Sequence, residues 1–202
     1  MSQGATPAVF LSASVPDPQR DERFYRTGDV VRIRDATEAL VEAVLPVGRL
    51  VWGGHPAIGP FVKAISCRLG LPDRVITWQS KYFQGSSTAE AHALSQVRWV
   101  DAAQTLTESV NLMRDAMLTS EPFVAAVFIG GMEGVIDEHA QFGRLHPTAP
   151  RLPIGTTGGA AQILCHDHPH PDAAVAAQLE GELAYALLFE DLLIPLLAAA
   201  SP

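Results

Sequence analysis

The sequence predicts an α/β domain: one Rossmann-like unit whose mostly parallel sheet carries helices on both faces. Strand-like and helix-like segments alternate along the chain without an internal repeat, the pattern of crossover units on a parallel sheet. Each junction carries Gly or Pro, the residues that punctuate connections. The 202 residues, 48% of them hydrophobic, suit one domain with a sizeable core. A single domain over 1–202 is expected, with 1–7 flexible.

Ala8 to Ala13 reads as the first strand and Asp29 to Leu45 as the helix that follows it. Arg49 to Trp52 is a second strand, after Pro46 and Gly48, and Ala57 to Leu69 a second helix, closed by Gly70. Arg74 to Trp78 and Gln96 to Val100 are further short strands, with a loose Ser/Thr/Gly patch at Gly85 to Thr88 between them. Ala103 to Leu118 is an amphipathic helix that delivers the chain to a strand starting at Phe123. Arg151 to Thr156 is a late strand. From Leu183 to Ala200 the chain is apolar around much of a helix, which implies burial on more than one side, in the core or at an oligomer interface.

A net charge of −8 and a pI near 5.3 argue against a nucleic-acid surface, which needs clustered Lys and Arg. No basic-then-apolar leader opens the chain, and the Leu183 to Ala200 stretch is broken by Glu190, Asp191 and Pro195, so no membrane span is expected. Cys67 and Cys165 are too few for a disulfide framework or a zinc site, which fits two buried thiols in a reducing cytoplasm.

The most informative segment runs from Phe123 to Glu138, where an apolar strand breaks into Gly130-Gly131-Met132-Glu133-Gly134 and acidic residues follow at once. Without side chains at Gly130, Gly131 and Gly134, backbone N–H groups can approach a ligand closely, and the N-terminus of the next helix favours an anion. In parallel sheets the loops after the strands converge on one crevice. Here these loops are Ser12 to Pro18, Gly53-Gly54-His55-Pro56, the Gly130 turn and Thr156-Thr157-Gly158-Gly159-Ala160. Ser, Pro and Gly are ordinary turn and capping residues, so the joint placement carries more than any single loop.

Four separated blocks, Phe10 to Pro16, Gly53 to Ile58, Leu112 to Met117 and Ile129 to Gly134, stand in order along the chain. Together they resemble the SLOG superfamily, Rossmann-like nucleotide-binding domains related to the LOG-type phosphoribohydrolases and to the DNA-processing protein DprA. Within the superfamily the chain is similar to prokaryotic domains that sense ADP-ribose-derived signals in Thoeris-type antiphage defence and to the ligand-binding region of TRPM channels. The LOG enzymes cleave the N-glycosidic bond of a nucleoside monophosphate with a helix Arg and the Glu of a PGGxGTxxE motif. The resemblance places Arg114 and Glu138 at those positions. The chain departs from the motif: Ile129 stands for Pro, the turn is lengthened to Gly-Gly-Met-Glu-Gly, Val135 stands for Thr, and Asp115 follows Arg114 where the enzymes carry Lys. These departures remove hydroxyl and cation contacts to phosphate, so the resemblance implies sensing before chemistry.

The residues themselves allow both readings. Glu138, Glu133 or Asp137 could stabilise an oxocarbenium-like state, yet first-turn carboxylates are also favoured by the helix dipole alone. Arg114 is aimed at the pocket by its position, though a helix Arg commonly forms surface ion pairs. His55, before Pro56 at an expected first helical position, suits contact with phosphate or ribose. Ser12 and Ser14 suit hydrogen bonds more than nucleophilic attack. His166-Asp167-His168-Pro169-His170 has metal-ligand composition but no completing ligand. Tyr82, Phe83 or Trp78 could stack on a base, while Trp52 and Trp99 are assigned to the core.

The expected ligand site is therefore Ser12, Ser14, Gly53, Gly54, His55, Arg114, Gly130, Gly131, Met132, Glu133, Gly134, Thr156, Thr157 and Gly158, with Glu138 and Arg114 catalytic only if the protein is an enzyme. The expected function is binding of an ADP-ribose-like or cyclic ADP-ribose-type molecule as a sensor or sequestering domain. The alternative is LOG-like N-glycosidic hydrolysis. No cofactor or metal is expected, and the expected partners are the small molecule, further copies of the chain and an effector protein.

Overall fold

The structure, a computed structural model, describes residues 6–84 and 96–201; the Gly85 to Thr88 patch and residues 1–5 lie outside them. Six strands form one sheet: β1 (Ala8–Ser14), β2 (Arg49–Trp52), β3 (Val75–Ser80), β4 (Gln96–Val100), β5 (Phe123–Gly130) and β6 (Arg151–Ile154). Their order is β4-β3-β2-β1-β5-β6, and every neighbouring pair is parallel. The chain walks outward from β1 to β4, then returns to the other side of β1. The order thus reverses between β1 and β5, where Ser14 and Gly130 end in register, and crevices open outside the strand ends at such points.

The helices are α1 (Glu22–Tyr25), α2 (Val30–Val44), α3 (Gly59–Arg68), α4 (Leu106–Leu118), α5 (Glu133–Leu145), α6 (Gly159–Asp167), α7 (Ala173–Gly181) and α8 (Tyr185–Ala200). Strand side chains alternate between two buried layers, as the two-residue period of a strand requires. Val9, Leu11, Leu50, Val127 and Ile129 meet α2, α3 and α8 on one face. Ala8, Phe10, Val51, Ala126 and Phe128 meet α4, α5 and α6 on the other.

Several expectations are corrected. The second helix starts at Gly59, because the N–H groups of Ile58 and Gly59 both donate to the His55 carbonyl, each at 3.0 Å. Pro60, not Pro56, therefore lies in its first turn. The helix before β5 starts at Leu106, where Thr105 and Glu108 form a capping box. Helix α8 buries one face, with Tyr185, Leu188, Phe189, Leu193 and Leu197, while Leu187 is 60% exposed; Glu190 and Asp191 lie on the open side. Cys67 is exposed and only Cys165 is buried. Trp99 is half-buried on the edge strand β4, outside the core. Helix α7, which no expectation covered, is started by Asp172, whose carboxylate accepts from the N–H groups of Ala174 and Val175. No helix among the described residues is long and apolar enough to cross a membrane.

Candidate functional site

A cleft of about 640 Å³ opens at the carboxyl ends of β1, β2, β3 and β5, at the point where the strand order reverses. Ser12 and Ser14 reach it from the end of β1, and Gly53, Gly54 and His55 from the loop after β2. Met132, Glu133, Gly134 and Glu138 reach it from the start of α5, and Arg114 from α4. The remaining expected residues stand behind the wall, not in it. Gly130 and Gly131 take the positive φ values of 58° and 84° that bend the chain out of β5. The Gly131 N–H donates to the Ser14 carbonyl at 2.8 Å. Thr157 is buried beneath them, its hydroxyl accepting from the Gly130 N–H at 2.8 Å and donating to the Ile154 carbonyl at 2.6 Å. Thr156 faces α8, bonding the Glu182 carbonyl and the Tyr185 hydroxyl. Gly158 sits so close to the Thr27 carbonyl that a side chain there has no room.

Glu138 is the centre of the polar wall. Ser12 Oγ donates to one carboxylate oxygen at 2.6 Å and Arg114 Nε to the other at 3.1 Å. Burial pushes the Glu138 carboxyl above the ordinary carboxylate value, and the pull of Arg114 and Ser12 only partly offsets it. Arg114 is fully engaged: Nη1 pairs with Asp137 and Nη2 donates to the Gly134 carbonyl, each at 3.4 Å. A Cβ at Gly134 would stand 2.7 Å from Arg114 Nη2, so any side chain there would displace the guanidinium end slightly. The N-terminus of α5, whose first residues line the cleft, has no side-chain cap, so its leading N–H groups lack a side-chain acceptor.

His55 stands at the exposed rim, with Nδ1 accepting from the Ala57 N–H at 3.3 Å, which leaves the proton on Nε2. Partial desolvation, and then the nearby Arg20 charge, hold its imidazole below the ordinary value. Another part of the lining is apolar: Leu106, Val110 and Met113 from α4, with Phe83 and Trp52. Phe83 thus lies where a base could stack, whereas Tyr82 is 47% exposed and Trp78 is half-buried under the Arg98 guanidinium. Trp52 is a core residue whose ring edge also floors the cleft, with Nε1 donating to Thr77 Oγ1 at 2.9 Å.

Sequence reasoning missed Arg20 and Gln79. Gln79 Nε2 donates to the Gly53 carbonyl at 2.9 Å and the Gly54 carbonyl at 3.2 Å, fixing the loop after β2. A polar residue inside an otherwise apolar strand was the available signal. Arg20, in an irregular loop, carried none. The histidine run is dispersed: His166 pairs with Asp167, His168 stacks on His139, and His170 accepts from the Asp172 N–H. Among the described residues no three His, Cys, Asp or Glu side chains are grouped to hold a metal ion.

The profile of the SLOG cluster3 family matches residues 23–193. Among solved structures, the X-ray structure of TM1055, a structural-genomics target, is similar with a TM-score of 0.53. The alignment has 16% identity and covers 84% of this chain and 88% of that one, a likeness of fold alone. A search of curated proteins finds no match.

Proposed function

The chain belongs to the SLOG cluster3 family, a nucleotide-related group, and from that membership we propose that its cleft binds an ADP-ribose-like or cyclic ADP-ribose-type molecule as a sensor or sequestering domain. The observation that carries this is the division of the cleft into two unlike walls. The polar part of the lining offers an uncapped helix start, the hydroxyls of Ser12 and Ser14 and the Gly53-Gly54 loop; the apolar part offers Phe83, Leu106, Val110 and Met113. A molecule with a flat base at one end and phosphorylated ribose at the other matches both, and about 640 Å³ falls in the range of small-molecule sites. The same reading places the protein in the cytoplasm, in an antiphage-type signalling system, as a homo-oligomer that reports to an effector protein.

The test is thermal stability against AMP, ADP-ribose, NAD and cyclic ADP-ribose isomers, with chromatography of each ligand afterwards. A ligand at a hundred times its dissociation constant adds about 2.7 kcal/mol to folding stability. A raised melting temperature with the ligand recovered intact supports binding without turnover. No shift with any of them refutes the proposal.

A second reading, hydrolysis of a nucleotide N-glycosidic bond, is favoured by one observation: Glu138 presents a half-buried carboxylate to the cleft, oriented through both oxygens. Such a group can stabilise an oxocarbenium-like state. Release of free base by the native protein, abolished in Glu138→Gln with the fold intact, would establish it. Activity that survives the substitution would remove Glu138 from the mechanism.

A further inference from the structure

Two guanidinium groups line the cleft, and they differ in what holds them. Arg114 is 13% exposed and uses Nε, Nη1 and Nη2 on Glu138, Asp137 and Gly134. It is a strut of the wall. Arg20 is 63% exposed and makes one long contact, Nη2 to Glu133 at 3.4 Å, with a carboxylate that is itself 46% exposed. Exposed pairs of this kind are worth little and exchange readily.

The backbone that carries Arg20 is nevertheless fixed against the site. The Asp17 N–H donates to Met132 Sδ at 3.3 Å, on the residue that precedes α5. The Asp17 side chain then accepts from the Gln19 N–H at 2.8 Å, and its carbonyl from the Arg20 N–H at 3.2 Å. A tight turn anchored on the glycine segment therefore presents an exposed, weakly held guanidinium to the cleft. Glu133 is its partner at 3.4 Å, and His55 lines the same cleft close enough to feel its charge. The carboxylates Glu133, Asp137 and Glu138 otherwise make the cleft acidic, a poor match for phosphate unless a cation can be turned toward it.

We infer that Arg20 is the anion-recognising residue of this cleft: it leaves Glu133 and pairs with a phosphate of the ligand at the mouth, between His55 and the start of α5. The inference rests on the ligand site proposed above. It assigns the phosphate to the mouth and the base to the apolar wall, and it makes Glu133 a competitor that holds the guanidinium in the empty cleft. A planar guanidinium suits this exchange, because it can take two phosphate oxygens at once where the carboxylate gives it one contact.

The experiment is calorimetric titration of the full chain with AMP, ADP-ribose and adenosine, for the native protein, Arg20→Gln and Glu133→Gln. Both side chains are exposed, so both variants should melt within about 2 °C of the native protein. Arg20→Gln is expected to weaken AMP and ADP-ribose by roughly 10- to 100-fold, the worth of a charge-assisted contact, while adenosine is unaffected. Glu133→Gln is expected to bind the two phosphorylated ligands as tightly as the native protein or more so. Native-like affinity of Arg20→Gln for AMP and ADP-ribose would overturn the inference, as would an equal loss for adenosine. A Glu133→Gln variant weakened as much as Arg20→Gln would overturn the exchange. If the native protein binds none of the three, this inference fails; the parent reading fails with it only if NAD and the cyclic ADP-ribose isomers are not bound either.

Discussion

Replacing Arg114 by Gln removes the only guanidinium that touches Glu138 among the described residues and leaves its carboxylate on Ser12 alone. Breaking a buried ion pair from one side costs about 3–5 kcal/mol. Here the two side chains keep 13% and 15% of their exposure and the Ser12 bond survives, so a loss of roughly 2–3 kcal/mol is expected at pH 8. For a domain of this size that lowers the melting temperature by about 5–10 °C. The sign with pH follows from Glu138. Burial already holds its folded pKa above the ordinary 4.5, so its ionisation costs stability as pH rises from 4.5 through the folded value. Without Arg114 the folded value rises further, and the added penalty appears only at the higher pH. Chemical denaturation at pH 5 and pH 8 should therefore give a smaller deficit at pH 5, nearer the range in which the penalty begins. Adding Glu138→Gln should recover most of the loss at pH 8, and the double-mutant cycle measures the coupling. Equal losses at both pH values, or no recovery in the double variant, would mean that Arg114 acts by packing and that the electrostatic account is wrong.

Four further outcomes are expected. Gly130→Ala should cost about 2–4 kcal/mol, because φ is 58° and the new Cβ would stand 2.5 Å from Ile33 Cδ1 and 2.8 Å from the Ser14 carbonyl. Gly134→Ala should stay within about 1 kcal/mol, since it meets only the movable end of Arg114 and gains helix propensity; thermal melts that rank the two the other way would refute this. His139, buried beside Phe128 with Arg151 and His168 nearby, has a pKa lowered to about 4, first by desolvation. The folded state therefore resists a proton that the unfolded chain accepts, and stability falls as pH drops from 6.5 toward 4, by up to about 3 kcal/mol. His139→Leu should flatten that slope in denaturation curves, and parallel slopes would exclude His139 as the source. Trp52→Phe should lose about 1–3 kcal/mol by leaving the fully buried Thr77 hydroxyl without its indole donor, and Thr77→Val in that background should recover part of it.

The sequence made the frame of the molecule readable because its signals are local. Arg49 to Trp52 and Gln96 to Val100 were placed to the residue, and the Asp29 helix start survives as an N-cap accepting from Val31 and Arg32. The cleft was readable in part, because strand-end loops must converge wherever a parallel sheet reverses its order. What stayed hidden depends on contacts distant in sequence. Glu138 and Ser12 are 126 positions apart and Arg20 and Glu133 are 113 apart; no periodicity announces such pairs. Composition alone is a weaker guide. The apolar residues between Leu183 and Leu197 imply burial on more than one side, in the core or at an oligomer interface, whereas within the single chain Glu190 and Asp191 fall on an open face of α8. The histidine run has metal-ligand composition but no completing ligand, and beside its end Asp172 caps α7 while its N–H donates to His170.

The hydroxyl of Thr157 binds the end of β5 through Gly130 and the end of β6 through Ile154, while its carbonyl accepts the Asp29 N–H at the start of α2 at 3.2 Å. Three segments thus meet on one residue behind the glycine turn. The loop entropy that a ligand would otherwise have to overcome has already been lost on folding, so recognition begins from an assembled surface. The same bracing sets what an arriving ligand could displace. The turn is tied to two strands and a helix, and what stands in front of it with few partners are side chains at the mouth, the Arg20 guanidinium first among them.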